Sequence, residues 1–180
     1  GQDCLPPQPL IEAGIYGAAA NAIENVTNAT NTASNVGIVF YRAHFQTGNL
    51  APIDALVSAC KKQGLNAVPI FAASLKEPVS AGIVAKILKD HNCRAVLNTT
   101  AFAIGTPDKI NSGPFDELQV PVFQVVLSSS TKEAWQANPQ GIGQRDIAMH
   151  VSMPEIDGRI LTRAISFKSG GQFHEATQCY

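Results

Sequence analysis

The chain has 180 residues, of which 45% are hydrophobic and 15% charged, the composition of a soluble globular domain with one sizeable core. Its 13 basic and 14 acidic residues give a net charge of −1, so no basic surplus indicates nucleic acid or an anionic membrane as the main partner. No apolar run approaches the roughly 18 residues that a membrane-spanning helix needs. The start is polar and proline-rich, unlike a signal peptide. We therefore expect a cytoplasmic protein, and because the chain starts with glycine we expect a piece of a longer one.

Residues 1–35 are the least regular part of the sequence. Prolines occupy its beginning, and asparagine recurs among alanine and threonine between positions 21 and 35. Little in this stretch could be buried against a core. It is therefore predicted to be an irregular N-terminal segment or a linker.

A regular alternation of short apolar runs and amphipathic segments begins at Val36. The apolar runs predict strands at 36–41, 65–71, 94–99 and 122–127, with an added strand at 159–167. Between them, residues 50–60 and 78–88 carry apolar side chains at helical spacing. This alternation predicts a three-layer α/β domain over residues 36–168, with a mostly parallel sheet of four to five strands and flanking helices, as in flavodoxin-like and Rossmann-like folds. Residues 169–180 are predicted to be a C-terminal tail.

Several residues mark where the helices should begin and end. The polar residues after the first strand are predicted to form a turn, and Asn49 to cap the helix that follows. Gly64 is predicted to end that helix in a left-handed conformation. Thr131 is predicted to cap a later helix. Residues 145–153 are predicted to form one further helix, which Pro154 would stop.

Polar side chains follow each of the first four predicted strands at its carboxyl end. Ligands of open α/β sheets bind at that end of the strands. With the strand order 2-1-3-4 the chain reverses direction between the first and third strands, so His44 and Thr99 would flank the crevice. The candidate site residues, which we call the rim, are Arg42, His44, Thr47, Asn49, Ser74, Lys76, Thr99, Thr100, Ser128 and Ser129.

Two members of the rim could take part in chemistry, and each has a structural alternative. Arg42 could bind a ligand carboxylate through two parallel hydrogen bonds, or it could pair with Asp54 or Asp146 and hold a loop in place. Histidine side chains exchange a proton near neutral pH. His44 could therefore transfer protons, or it could be a hydrogen-bonded structural residue.

Nucleotide-binding and metal-binding motifs are missing from the sequence. There is no Gly-x-x-x-x-Gly-Lys-Ser/Thr loop, so the chain is a poor candidate for hydrolysing ATP itself. No Gly-x-Gly-x-x-Gly follows the first predicted strand. The cysteines include no Cys-x-x-Cys pair and the histidines show no ligand spacing, so no metal-ligating residue is predicted.

The segment at positions 36–49 reads VGIVFYRAHFQTGN. This Arg-x-His followed by Thr-Gly resembles the start of an α/β region in the large subunit of cobaltochelatase and in the related H subunit of magnesium chelatase. The resemblance covers residues 36–168 and is weaker before Val36, where Gly14-Ile15-Tyr16 is not followed by the family's His-Pro. Further stretches that resemble the family lie at 51–56, 64–66, 74–76, 128–135, 144–151 and 154–159. The most specific of them is 144–151.

The resemblance implies a fragment of a much longer subunit, whose family inserts a divalent metal ion into a tetrapyrrole. Co²⁺ (or Mg²⁺) would be a substrate ion, and ATP would be used by separate AAA+ motor subunits rather than bound by this chain. The FYRAH and Ser-Leu-Lys motifs favour the cobalt branch of the family. That branch acts on hydrogenobyrinate a,c-diamide in cobalamin biosynthesis, whereas the magnesium branch acts on protoporphyrin IX. The implied partners are the tetrapyrrole, the motor subunits and the rest of the large subunit.

Two functional hypotheses follow from the resemblance. In the first, Arg42 pairs with a substrate carboxylate, His44 assists pyrrole deprotonation or approaches the metal, and the other rim residues bind the substrate. In the second, the region is a non-catalytic α/β scaffold that positions neighbouring domains or docks the motor subunits. Under both hypotheses we expect the isolated chain to be inactive as a chelatase.

Overall fold

The computed structural model describes residues 10–17, 33–106 and 113–169. Its strands are β1 (Ala13–Ile15), β2 (Asn35–Tyr41), β3 (Asn66–Ala72), β4 (Cys93–Asn98), β5 (Val122–Thr131) and β6 (Ile160–Lys168). They form one six-stranded sheet in the order β1-β3-β2-β4-β5-β6. Strands β2 to β6 are parallel, and β1 pairs antiparallel with β3. The predicted mostly parallel α/β sheet is confirmed, including the order of its four central strands, β3-β2-β4-β5.

Helical segments connect the parallel strands, as they must, because each crossover has to carry the chain back along the sheet. They are α1 (Arg42–Gln46), α2 (Ala51–Lys62), α3 (Pro78–Asp90), a 3₁₀ turn (Gly113–Phe115), α4 (Lys132–Ala137), α5 (Gln144–Ile147), a π-helical turn (Ala148–Ser152) and α6 (Met153–Ile156). Within the described ranges, no helix is long and apolar enough to cross a membrane.

Strand β1 forms an edge of the sheet and brings the strand count above the four to five that were predicted. It lies inside the N-terminal segment that was predicted to be irregular. Hydrogen bonds from Tyr16 N to Pro69 O (2.8 Å) and from Ala73 N to Glu12 O (2.7 Å) extend its pairing beyond the strand itself. A strand of three residues is too short to show an alternation of apolar and polar side chains, so the sequence carried no signal for it.

The predicted division into segment, domain and tail is only partly covered by the structure. Residues 1–9, 18–32 and 170–180, which hold most of the predicted N-terminal segment and C-terminal tail, lie outside the described residues. The parallel strands begin at Asn35 and end at Lys168. The domain limits themselves stay a prediction.

Helices cover both faces of the sheet, which gives three layers. Because successive strand residues point to opposite faces, Ile38 and Phe40 of β2 pack with Ile53 of α2, while Val39 packs with Leu88 of α3. None of these five side chains has accessible surface. A strand that is covered on both faces needs apolar residues at every position, which explains the near-continuous apolar run of β2.

Helix α3 approaches β2 most closely at Gly37. A Cβ atom built on Gly37 would lie 2.3 Å from Cδ2 of Leu88. Leu88 is itself fully buried and would have to shift to make room for this atom. The absence of a side chain at Gly37 therefore allows this helix to pack against the central strand.

Two of the four predicted helix ends are confirmed and two are wrong. Gly64 has a φ of 70°, and Thr131 Oγ1 accepts a hydrogen bond from Ala134 N at 3.2 Å. Asn49 does not cap α2. Leu50 holds the capping position, and no side-chain oxygen caps this helix.

The helix predicted over residues 145–153 is instead assembled from α5, the π-helical turn and α6. Pro154 does not stop it, because α6 follows the π-helical turn without a break and continues to Ile156. The proline removes one backbone N–H donor from this helical segment, next to the π-helical turn that already interrupts the regular α-helical hydrogen bonds.

We expect Gly37→Ala to lower the free energy of unfolding by about 1–3 kcal/mol, because the added methyl group must displace Leu88 in a close-packed core. Gly82→Ala is the matched control. Gly82 lies on the exposed side of α3, and a Cβ atom at this position would have no other atom within 4 Å, so alanine should stabilise by about 0.5–1 kcal/mol. Urea denaturation measures both, and equal effects of the two substitutions would contradict the packing argument.

Candidate functional site

The carboxyl ends of the parallel strands carry two openings. The larger, which we call the cleft, has a volume of about 490 Å³, and the smaller, which we call the pocket, has a volume of about 190 Å³. Tyr41, Ala101 and Phe102 line both openings. Residues 99–106, which follow β4 and which we call the dividing loop, therefore separate them. A further depression of about 510 Å³ lies beside α3 at the amino end of β4 and contains no rim residue.

The structure divides the rim between these openings. The cleft is lined by His44, Asn49, Thr99, Ser128 and Ser129. The pocket is lined by Ser74, Lys76 and Thr100. Neither opening has Arg42 or Thr47 among its lining residues. The roles of all these residues as ligands or catalysts stay predictions.

Arg42 points away from the cleft because β2 continues directly into α1 rather than into the predicted turn. Arg42 and the histidine two positions later lie on different faces of this helix. Arg42 Nη1 donates to Ile11 O at 2.9 Å and lies 3.6 Å from Glu12 Oε2. Its carboxylate partner is thus Glu12 and not Asp54 or Asp146. These contacts tie α1 to the segment that forms β1.

Thr47 contributes to the end of α1. Its Oγ1 donates to Ala43 O at 2.8 Å, and its side chain is otherwise exposed. The backbone N–H of Thr47 donates to the same carbonyl oxygen at 3.0 Å, so the hydroxyl adds a second hydrogen bond at the end of this helix.

A buried carboxylate holds Ser128 and Ser129 at the end of β5. Asp146 of α5 is only 2% exposed. Its carboxylate accepts hydrogen bonds from Ser128 Oγ (2.7 Å), Ser129 N (2.9 Å) and Ser129 Oγ (2.7 Å). Burial alone would raise the pKa of Asp146, but these hydrogen bonds and the neighbouring His150 lower it below its ordinary value. The ionised carboxylate therefore ties β5 to α5 at neutral pH.

Both serine hydroxyls donate their proton to Asp146 and so can only accept hydrogen bonds from a ligand. A hydroxyl has one proton and two lone pairs. Ser128 Oγ already accepts a hydrogen bond from Ser130 N at 3.1 Å. Among the hydrogen bonds of the described residues, none is donated to Ser129 Oγ, so this oxygen can still accept one. This side of the cleft therefore suits N–H donors, such as a carboxamide or a pyrrole nitrogen, better than a carboxylate.

His150 is a second imidazole in the cleft, and the sequence analysis did not select it. It is 8% exposed, and its Nδ1 atom is buried without a hydrogen-bond partner among the described residues. Burial lowers the pKa of His150, and the negative charge of Asp146 only partly opposes this effect. The imidazole is thus neutral at neutral pH. An unpaired buried polar atom costs about 1–3 kcal/mol, and such atoms often belong to functional sites.

The π-helical turn brings His150 to the cleft. Met149 precedes it, lines the cleft as well and accepts a hydrogen bond from Phe102 N to its carbonyl oxygen at 2.9 Å. Such turns are rare and are frequent at functional sites. The spacing of apolar residues in a sequence cannot reveal a π-helical turn, because the expected spacing is that of a regular α-helix. The sequence feature that could have pointed to His150 is its place in residues 144–151, the most specific stretch of the family resemblance.

A buried hydrogen-bond network joins the ends of β4 and β5 beneath the dividing loop. Gln124 Nε2 donates to Thr100 O at 2.8 Å, and Asn98 Nδ2 donates to Gln124 Oε1 at 2.9 Å. Thr100 Oγ1 donates to Asn98 Oδ1 at 2.9 Å. Thr100 was predicted to bind substrate, but its hydroxyl proton is used inside the protein.

The network continues into a buried ion pair that anchors the dividing loop. Arg159 Nη1 donates to Gln124 Oε1 at 3.1 Å, and its Nη2 donates to Asp157 Oδ2 at 2.8 Å. The Asp157 carboxylate also accepts from Ile104 N (2.7 Å) and Gly105 N (2.9 Å). The pair therefore sets the position of the loop that separates the cleft from the pocket.

Comparison with known proteins agrees with this architecture. The family described as CobN/Magnesium Chelatase matches residues 1–180. The chain belongs to this family. An aerobic cobaltochelatase subunit CobN from a Sinorhizobium species is 38% identical over 176 residues, which cover 91% of this chain and 14% of the relative. The chloroplastic magnesium-chelatase subunit ChlH of rice (Oryza sativa subsp. indica) is 28% identical over 131 residues, which cover 68% of this chain and 9% of the relative.

The fold is shared with a solved chelatase subunit. The structure of the catalytic subunit of cobaltochelatase from Mycobacterium tuberculosis matches with a TM-score of 0.73 at 26% identity, covering 94% of this chain and 14% of that one. The predicted family and fold class are confirmed. The chain spans only 14% of the length of its CobN relative.

Asp146→Asn should lower the free energy of unfolding by about 1.5–3 kcal/mol, because an amide cannot accept all the hydrogen bonds that the charged carboxylate receives. Asp90→Asn is the control: Asp90 pairs with Lys86 on the surface of α3, and exposed pairs contribute about 0–1 kcal/mol. Chemical denaturation followed by circular dichroism measures both. A change in Asp146→Asn no larger than in the control would contradict the anchoring role.

Wild-type protein should lose thermal stability as the pH falls from about 7.5 to about 5.5, in part because of His150. The pKa of this histidine is lowered in the folded state, so the unfolded chain, with a pKa of about 6.5, binds the proton first. The stability that the neutral His150 contributes is fully present above the pKa of the unfolded chain, and it is lost as the pH falls towards the lower pKa of the folded state.

His150→Gln should reduce this pH-dependent loss, measured as the difference in Tm between the two buffers. His91→Gln, at the opposite end of the sheet, serves as the matched control and should retain the wild-type difference. If His150→Gln shows the same difference as wild type, His150 is not buried as a neutral imidazole.

Proposed function

We propose that this chain is a substrate-facing region of a cobaltochelatase-type large subunit, and that its cleft receives a corrin precursor during ATP-dependent Co²⁺ insertion in cobalamin biosynthesis. The observation that carries the proposal is the cleft itself, which lies where the strand order reverses, the usual ligand position in open α/β sheets. Its volume of about 490 Å³ falls within the range of about 300–1,000 Å³ that is common for small-molecule sites.

The lining of the cleft suits part of a tetrapyrrole. Leu127, Met149 and Phe167 supply apolar surface, as a conjugated ring requires. Ser129 supplies a hydrogen-bond acceptor for a peripheral carboxamide. Lys168 supplies a cation for a carboxylate. Hydrogenobyrinate a,c-diamide carries both kinds of peripheral group, which supports the cobalt branch as the substrate class.

Insertion of Co²⁺ into a corrin replaces one ring N–H bond with a bond to the metal ion, so one proton must leave the ring and no electrons are transferred. His44 and His150 both line the cleft, and a neutral imidazole can accept a proton. His44 is the proposed acceptor, as in the sequence analysis, and His150 is a second group of the same chemistry. The metal ion is a substrate here, and within the described part of the chain no group of three or more His, Cys, Asp or Glu could hold one.

The partners proposed for this region are those of the family: the rest of the large subunit and separate AAA+ motor subunits that hydrolyse ATP, in the cytoplasm. The absence of a phosphate-binding loop from the sequence supports this division of labour. The isolated chain is expected to bind substrate without inserting metal.

A second candidate function is that of a structural domain in the large subunit. It is favoured by Arg42, whose guanidinium is engaged with Ile11 and Glu12 rather than presented to either opening. In that case the hydrogen bonds at the strand ends hold the domain together, and substrate binds elsewhere in the subunit.

Titration of the chain with hydrogenobyrinate a,c-diamide should quench the fluorescence of Trp135 in a saturable manner. The Trp135 ring lies 5.1 Å from that of Phe167, which lines the cleft. His44→Ala should raise Kd about tenfold, which corresponds to the loss of about 1.4 kcal/mol of binding free energy. His91→Gln, remote from the cleft, is the control for nonspecific effects.

Arg42→Ala decides between the roles assigned to this residue. An unchanged Kd is expected, since the guanidinium faces β1. A raised Kd would show that Arg42 binds the substrate, as the sequence analysis predicted. If wild-type protein shows no saturable binding, the cleft is not a substrate site and the structural function is supported.

A further inference from the structure

Phe102 combines an unusual backbone conformation with an exposed ring. Its φ is 67°, in the left-handed region that disfavours residues with bulky side chains. The residue is 42% exposed, so burial in the core does not compensate for the conformation. The other non-glycine residues with positive φ in the described ranges are Asn92 and Gln119, which are polar. A large aromatic residue at this position therefore has no explanation in the stability of the fold.

Hydrogen bonds on several sides hold Phe102 in this conformation. Tyr41 Oη donates to Ala101 O at 2.9 Å, and Phe102 N donates to Met149 O at 2.9 Å. On the other side, the buried carboxylate of Asp157 binds the backbone N–H groups of the dividing loop. The conformation is thus imposed by three separate parts of the chain: the end of β2, the π-helical turn and the residues before β6.

Phe102 lies between two openings with different chemistry. It lines both the cleft and the pocket. On the pocket side, Ser74 and Lys76 offer a hydroxyl and an ammonium group. On the cleft side, Ser129 offers a hydrogen-bond acceptor. A ligand that covers the ring of Phe102 would therefore reach a cationic group on one side and an acceptor on the other.

We propose that Phe102 is a stacking platform for the conjugated macrocycle of the substrate, and that Lys76 and Ser74 in the pocket bind one of its peripheral carboxylates. This inference rests on the proposed function and assigns the contacts within it. Aromatic rings interact through offset stacking with other flat π systems. Arg159 also lines the pocket, but its guanidinium is buried and paired with Asp157, so the positive charge available to the carboxylate is that of Lys76.

Phe102→Asn separates binding from stability. Asparagine tolerates a positive φ better than phenylalanine, so we expect Tm to stay the same or rise by about 2–4 °C. The Kd for hydrogenobyrinate a,c-diamide, measured by Trp135 fluorescence, should rise about three- to tenfold because the stacking contact is lost. Phe102→Tyr, which keeps a flat ring, should retain the wild-type Kd.

Lys76→Gln tests the carboxylate contact with a matched pair of ligands. The Kd for hydrogenobyrinate a,c-diamide should rise about tenfold, whereas the Kd for its methyl ester, in which the carboxylates are blocked, should not change. An equal effect on both ligands would overturn this assignment.

The outcomes also distinguish the inference from the proposed function. If wild-type protein binds the precursor and Phe102→Asn binds it equally well, the platform is refuted while the substrate-facing function stands. If wild-type protein does not bind at all, both are refuted. A Tm that falls together with affinity in Phe102→Asn, without rescue by tyrosine, would show a structural role only.

Discussion

The arrangement of the site depends on one constraint: the polar groups buried at the carboxyl ends of β4 and β5 must find partners within the protein. Asn98 and Gln124 are almost completely buried, and they satisfy each other and Thr100. Arg159 and Asp157 extend the same network to the backbone of the dividing loop. Within the described residues, Arg159 Nε is the one buried atom of this network without a partner, and each further unpaired group would cost more than a hydrogen bond contributes. The position of the dividing loop, and hence the separation of cleft from pocket, follows from this requirement.

Much of the fold could be predicted from the sequence because its central strands are covered on both faces. The apolar run from Val36 to Tyr41 and the helical spacing after it are direct consequences of that burial. The structural features that were not predicted leave no periodic pattern of apolar residues in the sequence. Strand β1 is too short to alternate, α1 replaces a turn within five residues, and the π-helical turn at His150 departs from the helical period itself.

The site was predicted as one polar rim, and the structure shows why that was too simple. Strand ends alone place side chains at an edge but do not fix their direction. Arg42 turns towards Glu12 because a helix starts immediately, and the proton of Ser128 is committed to Asp146. These hydrogen bonds change what the residues can bind: the rim was predicted from the sequence only as polar, and around Ser129 it can only accept hydrogen bonds. Only the three-dimensional contacts contain that information.

Two features weigh against a purely structural role for the region. His150 keeps a buried nitrogen without a partner in the described residues, and Phe102 keeps a left-handed backbone under an exposed ring. Each lowers the stability of the domain, and Phe102, which is largely exposed, could be replaced without leaving a cavity in the core. Structural domains have no reason to retain such costs, whereas binding sites commonly do. Both residues line the cleft, so the strain is concentrated where a substrate would bind.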